Sequence, residues 1–190
     1  MRNVLKAILL TMLSYLLQVC AMPYLRIDGV IGSIVAVNIA ILTVTLGKKY
    51  AFGASCMTGI LMDVMTSSIS GLYAVLYPAI SMALSMLFAD MSDERREVRR
   101  NRNKSDRDVD AHIRIPLNAM AITLMFDGIL LVYTTLSGAV LTGRHLARLL
   151  IAVLYTGALS GVLMWPVRMF LGMYGRIEKA VTDGENDEEI

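Results

Sequence analysis

What most constrains this chain is how far it runs without a charge. Val4–Leu25 and Ile115–Leu141 each hold a single Lys, Arg, Asp or Glu. About 20 apolar residues in a helix cross the hydrocarbon of a bilayer. In lipid a backbone must satisfy its own amides, so such runs are helices. The charges crowd elsewhere. Asp90–Arg114 carries eight basic and seven acidic residues, and Ile177–Ile190 carries six acidic and one basic. With 56% apolar residues and a mean hydropathy of +0.59, the composition excludes an ordinary water-soluble globule, a disordered chain and a disulfide scaffold.

The pattern predicts an all-α membrane protein, a bundle of six transmembrane helices. The spans are expected at about 4–25, 30–46, 50–65, 69–89, 115–141 and 146–173. Residues 1–176 then form one membrane domain, 90–114 a charged loop and 177–190 an acidic tail. The second and third spans are short and must stand nearly upright. Pro116 is expected in the first turn of the fifth, where its missing amide costs little.

Basic residues set the orientation. With the N-terminus in the cytoplasm, fifteen Lys and Arg lie inside and three, Arg26, Arg144 and Arg148, outside. Both termini are then cytoplasmic. The opposite orientation would export eight basic residues of one loop. A cleaved signal peptide over the first 25 residues is the weaker reading, because its removal spoils this balance.

Asp63 ends the third span within Gly59-Ile60-Leu61-Met62-Asp63. A carboxylate there is expensive unless paired. Arg26 and Arg144 are the expected partners on its side. It marks either a partner contact or an internal polar cluster. Asp127, in the fifth span, is expected to be protonated or bonded to a Ser, Thr, Tyr or Asn38. The motifs of aspartyl intramembrane proteases are absent, and a serine protease would need a membrane-embedded His. No Cys-x-x-Cys or His-x-x-x-His spacing suggests a metal. Met82 and Met86 share a helix face, as packing residues do. No cofactor, metal or catalytic group is expected.

Ser55 and Gly59, and Gly157 and Gly161, are small-residue pairs four apart. They permit close helix approach, within the chain or to another protein's helix. In the charged loop, Arg95, Arg96, Arg99, Arg100 and Arg102 form a strip suited to anionic lipid or an acidic cytoplasmic partner. No aromatics interleave with it, so nucleic acid is not expected. Cys20 and Cys56 read as packing residues.

Gly59-x-x-x-Asp63, Ser67-Ser68, Gly71-Leu72-Tyr73-Ala74 and Tyr77-Pro78, preceded by Pro23-Tyr24-Leu25-Arg26 and Gly29, resemble the rod shape-determining protein MreD family. The resemblance covers roughly 4–173. The loop 90–114 and the tail depart from the family pattern. It implies a non-enzymatic scaffold of the cell-elongation machinery in a bacterial inner membrane. That scaffold binds MreC and so helps couple the actin-like MreB to peptidoglycan synthases. The costly carboxylate beside small residues points to a partner surface around Arg26, Gly59, Asp63, Gly71, Tyr77 and Pro78. The family fold is similar to substrate-binding subunits of energy-coupling-factor vitamin transporters, which gives the alternative. The pocket candidates for that alternative are Asp63, Tyr73, Tyr77 and Trp165.

Overall fold

A computed structural model describes residues 2–26, 29–65, 71–88, 111–138 and 142–171. The arginines Arg95–Arg102, the Ser67-Ser68 turn and the acidic tail lie outside these residues. Every regular element described is helical: α1 (Arg2–Cys20), a 3₁₀ turn (Met22–Tyr24), α2 (Ile34–Thr45), α3 (Lys48–Met65), α4 (Leu72–Phe88), α5 (Ala111–Leu136) and α6 (Gly143–Leu171). Among the described residues, three stretches are long and apolar enough to cross a membrane: Val4–Tyr24, Ile113–Leu136 and Gly143–Leu171. This is a helical protein of membrane character.

The helices alternate in direction. Gln18 of α1 bonds the start of α2, and Thr11 of α1 meets Asn38 further along it. Tyr15 of α1 reaches Leu61 near the end of α3. Arg114 at the start of α5 donates to the carbonyl of Phe88 at the end of α4, 2.8 Å away. The bundle thus has a proximal end, with the start of α1 and Gly47, and a distal end, with the 3₁₀ turn and the starts of α4 and α6. At the proximal end Lys6 donates to the carbonyls of Phe170 and Leu171. Two cations therefore meet helix C-termini, where the helix dipole favours them.

α2 is the axis of the molecule. Of its twelve residues, Ile34 through Val44 are all buried. One face packs on Tyr77, Ile80 and Leu84 of α4 and on Ile115, Ala119 and Ile122 of α5. Leu42 packs on Ala7, Leu10 and Ala54 of α1 and α3. A helix that is apolar all round belongs inside a bundle, and its uniformly apolar sequence says so. Buried hydroxyls bond carbonyls three or four residues back, as Thr43 does to Ile39 and Thr11 to Ala7. That removes their desolvation cost.

The second helix is shorter than the sequence suggests. A helix from Val30 was expected, but it begins at Ile34. Gly32 sits so close to Tyr155 that a Cβ there would lie 2.9 Å from the ring. The backbone groups that a helix would use are taken elsewhere. Gln18 donates to the carbonyl of Gly32 (3.2 Å) and accepts from the amide of Ile34 (2.7 Å). The amide of Ser33 donates to Thr156, and the Ser33 hydroxyl caps α2 at Ala36. Non-helical backbone is tolerated beside lipid only when protein satisfies it in this way. At about 18 Å, α2 alone is too short to span the hydrocarbon. Six full spans are therefore not what the helix lengths show.

Other ends shift by a few residues. α3 begins at Lys48 rather than Tyr50 and α4 runs Leu72–Phe88, inside the expected 69–89. α5 starts at Ala111 and stops at Leu136, near Gly138 with φ +97°. Pro116 therefore stands in the second turn of α5, not the first. α6 starts three residues early and ends at Leu171.

Candidate functional site

Of the residues that carry the family resemblance, Gly59, Asp63 and Gly71 through Ala74 form one joint between α3 and α4. Helix α4 opens after Gly71, whose φ of +89° is natural to glycine and which has no side chain to cap the helix. The cap comes from α3 instead. The Asp63 carboxylate accepts from the amides of Tyr73 (3.0 Å) and Ala74 (2.7 Å), which are the second and third residues of α4. Free N–H groups and the positive end of the helix dipole both favour an anion there. One turn earlier, Gly59 makes this possible. A Cβ at 59 would lie 2.6 Å from the Tyr73 carbonyl oxygen and 2.8 Å from the Ala74 Cα. Glycine lets the backbones touch, and the carboxylate then locks them.

Asp63 thus takes backbone amides and not the arginines expected for it. Arg26 is exposed beyond the 3₁₀ turn, and Arg144 is exposed at the start of α6. Tyr77 and Pro78 are buried. The Tyr77 ring stacks on Phe126 with centroids 4.5 Å apart, and Tyr73 meets the same ring at 5.4 Å. Of the six residues singled out for partner contact, Gly59, Asp63 and Gly71 come together. Tyr77 and Pro78 lie in the core behind them, and Arg26 stands apart.

The polar interior is incompletely satisfied. Asn38 donates to Thr11 at 3.4 Å, and its Oδ1 has no partner. Asn118 is fully buried on α5 with neither amide atom bonded, and the Ser81 hydroxyl on α4 is likewise unbonded. Asn38 does not bond Asp127. Gly157 packs within the chain, where a Cβ would meet Met120 of α5, while Gly161 faces open space. Cys20 and Cys56 are both free. Among the described residues no three of His, Cys, Asp or Glu gather as a metal site.

Asp127 instead lines a cleft of about 330 Å³ at the distal end. Its walls are two helical stripes at the i, i+3, i+4, i+7 spacing. α5 gives Asp127, Leu130, Leu131 and Thr134, and α6 gives His145, Arg148, Leu149 and Ala152. The irregular segment Gly29–Ile31 closes the side. Trp165 is 64% exposed, and Asp63, Tyr73, Tyr77 and Trp165 are all absent from this lining. The residues expected for a vitamin pocket thus do not line this cleft. The stripes were present in the sequence, at Asp127 and at His145 with Arg148. They escape notice because neither helix shows which face its neighbour covers.

No family model, no curated protein and no solved structure matches this chain.

Proposed function

We propose that the protein is a non-catalytic membrane scaffold of the MreD kind. It would sit in a bacterial inner membrane with the proximal end in the cytoplasm and both termini inside. It binds MreC, and through MreC couples the cytoplasmic actin-like MreB to wall synthases. The observation that supports this reading is the α3–α4 joint. Gly59, Asp63 and Gly71, which are among the residues that carry the resemblance, are the ones whose geometry here needs those types.

The orientation has its own support. Lys48 and Lys49 are exposed in the first turn of α3, where the helix dipole disfavours cations. A cytoplasmic proximal end accounts for them. All six described helices then belong to the membrane domain, with α2 enclosed by the rest.

Behind the joint, Ile60 and Val64 share an exposed face of α3, and Val75 is exposed on α4. This face receives the MreC helix, and the lock keeps it rigid. The arginine strip of the 90–114 loop meets anionic lipid on the cytoplasmic side. Val64→Trp enlarges the face without touching the cap. It is expected to abolish MreC co-purification at unchanged melting temperature. Co-purification equal to wild type would reject this surface. Asp63→Leu should reduce co-purification only together with stability.

The transporter alternative finds less support. No Phe, Tyr or Trp lines the cleft, so a thiamine or flavin ring has only the His145 imidazole to stack on.

A further inference from the structure

The cleft between α5 and α6 is not used by the scaffold reading, and its chemistry is specific. Facing helices run antiparallel from the 136–143 connection, so Asp127 stands level with Ala152, Leu131 with Arg148, and Thr134 with His145. Asp127 is at the floor. Arg148 is about 6 Å nearer the mouth by helix rise, and His145 about 10 Å nearer. Between them run Val30, Leu130, Leu131 and Leu149.

Asp127 is half-buried, and no described residue donates a hydrogen bond to it or pairs with its charge. A carboxylate at that depth without a protein donor is costly, so the floor favours a group that can donate to it. The mouth has the opposite character. Arg148 is exposed beside Gly29, with five donors and no acceptor among the described residues. His145 accepts the Thr142 amide at Nδ1 (3.2 Å), which leaves Nε2 as its donor. The floor thus calls for a cation and the mouth for an anion, with an aliphatic wall between.

We propose that this cleft binds a zwitterion, a primary ammonium joined by a short aliphatic link to a phosphate or carboxylate. The ammonium sits on Asp127 and the anion on Arg148, with His145 at the rim. The lining suits an ethanolamine lipid headgroup with its first acyl carbons, and equally a free solute of the same chemistry. The volume falls within the range of small-ligand clefts. The site stands on the cleft alone, so it holds or fails independently of the scaffold role.

The test uses the full chain in nanodiscs. One arm compares phosphatidylglycerol alone with a mixture containing phosphatidylethanolamine. The second adds soluble phosphoethanolamine or glycine to the phosphatidylglycerol discs. Bound lipid is counted by native mass spectrometry, and melting temperature is followed in both arms. Wild type should retain phosphatidylethanolamine above its share in the disc, or be stabilised by the solute. Which arm responds identifies the source. Asp127→Asn and Arg148→Gln should each weaken retention about tenfold or more, the usual scale for a lost charge-assisted hydrogen bond. Arg148 is exposed, so its variant folds even if the other does not. Equal responses in wild type and Arg148→Gln, or no response in either arm, would overturn the proposal.

Discussion

At the scale of single residues, the molecule depends on side chains that complete another segment's backbone. Asp63 caps α4 from outside it. Asp63→Leu strands two amides and removes a charge from a helix dipole, and should cost roughly 2–4 kcal/mol, to be read as a drop in melting temperature in detergent. Asp63→Asn keeps one acceptor and should cost about half as much. Gly59→Ala pushes a methyl onto the Tyr73 carbonyl and should cost on the order of 1–3 kcal/mol. Gln18→Leu should free the Gly32 carbonyl and the Ile34 amide together, at about 2 kcal/mol. Faster hydrogen exchange confined to the start of α2 would identify that cause. The sequence showed that Asp63 needed a partner but pointed to arginines. Charged side chains are visible in a sequence, whereas backbone amides belong to every residue. The one available sign was Gly71, a helix start with no capping side chain of its own.

Among the elements, α2 and α5 hold the unusual chemistry. Asn118 is wholly buried with no partner for either amide atom, and the paired loss of donor and acceptor in an isosteric apolar side chain is near neutral or favourable. Asn118→Leu should leave stability unchanged or raise it by about 1–2 kcal/mol in chemical denaturation. A clear loss would mean that water bridges the amide to its neighbours. Helix existence was readable at this scale because long apolar runs leave few options. The break before α2 was not. Val30 and Ile31 are as apolar as the helix that follows, and the approach of Tyr155, Thr156 and Gln18 from distant helices, with Ser33 as the cap, turns the segment aside. The cleft was hidden for the same reason. Asp127, His145 and Arg148 lie on separate helices, and their meeting depends on packing.

For the whole molecule, orientation is the property on which its role depends. Single cysteines at Lys48 and Ser137 stand at opposite ends, and both positions are exposed. In a background without Cys20 and Cys56, a membrane-impermeant thiol reagent added to intact cells should label position 137 and leave position 48 unlabelled until the membrane is opened. The reverse pattern would invert the bundle and place the Asp127 cleft in the cytoplasmic leaflet. The enclosed position of α2 also bears on biogenesis. A twelve-residue helix sheathed by its neighbours has no stable residence in lipid until α4 and α5 have arrived to surround it. During synthesis it must wait beside the insertion machinery, half committed, while later helices are made. A nascent chain cut short before α5 should therefore leave α2 unhoused and be cleared by membrane quality-control proteases, however intact its first four helices are.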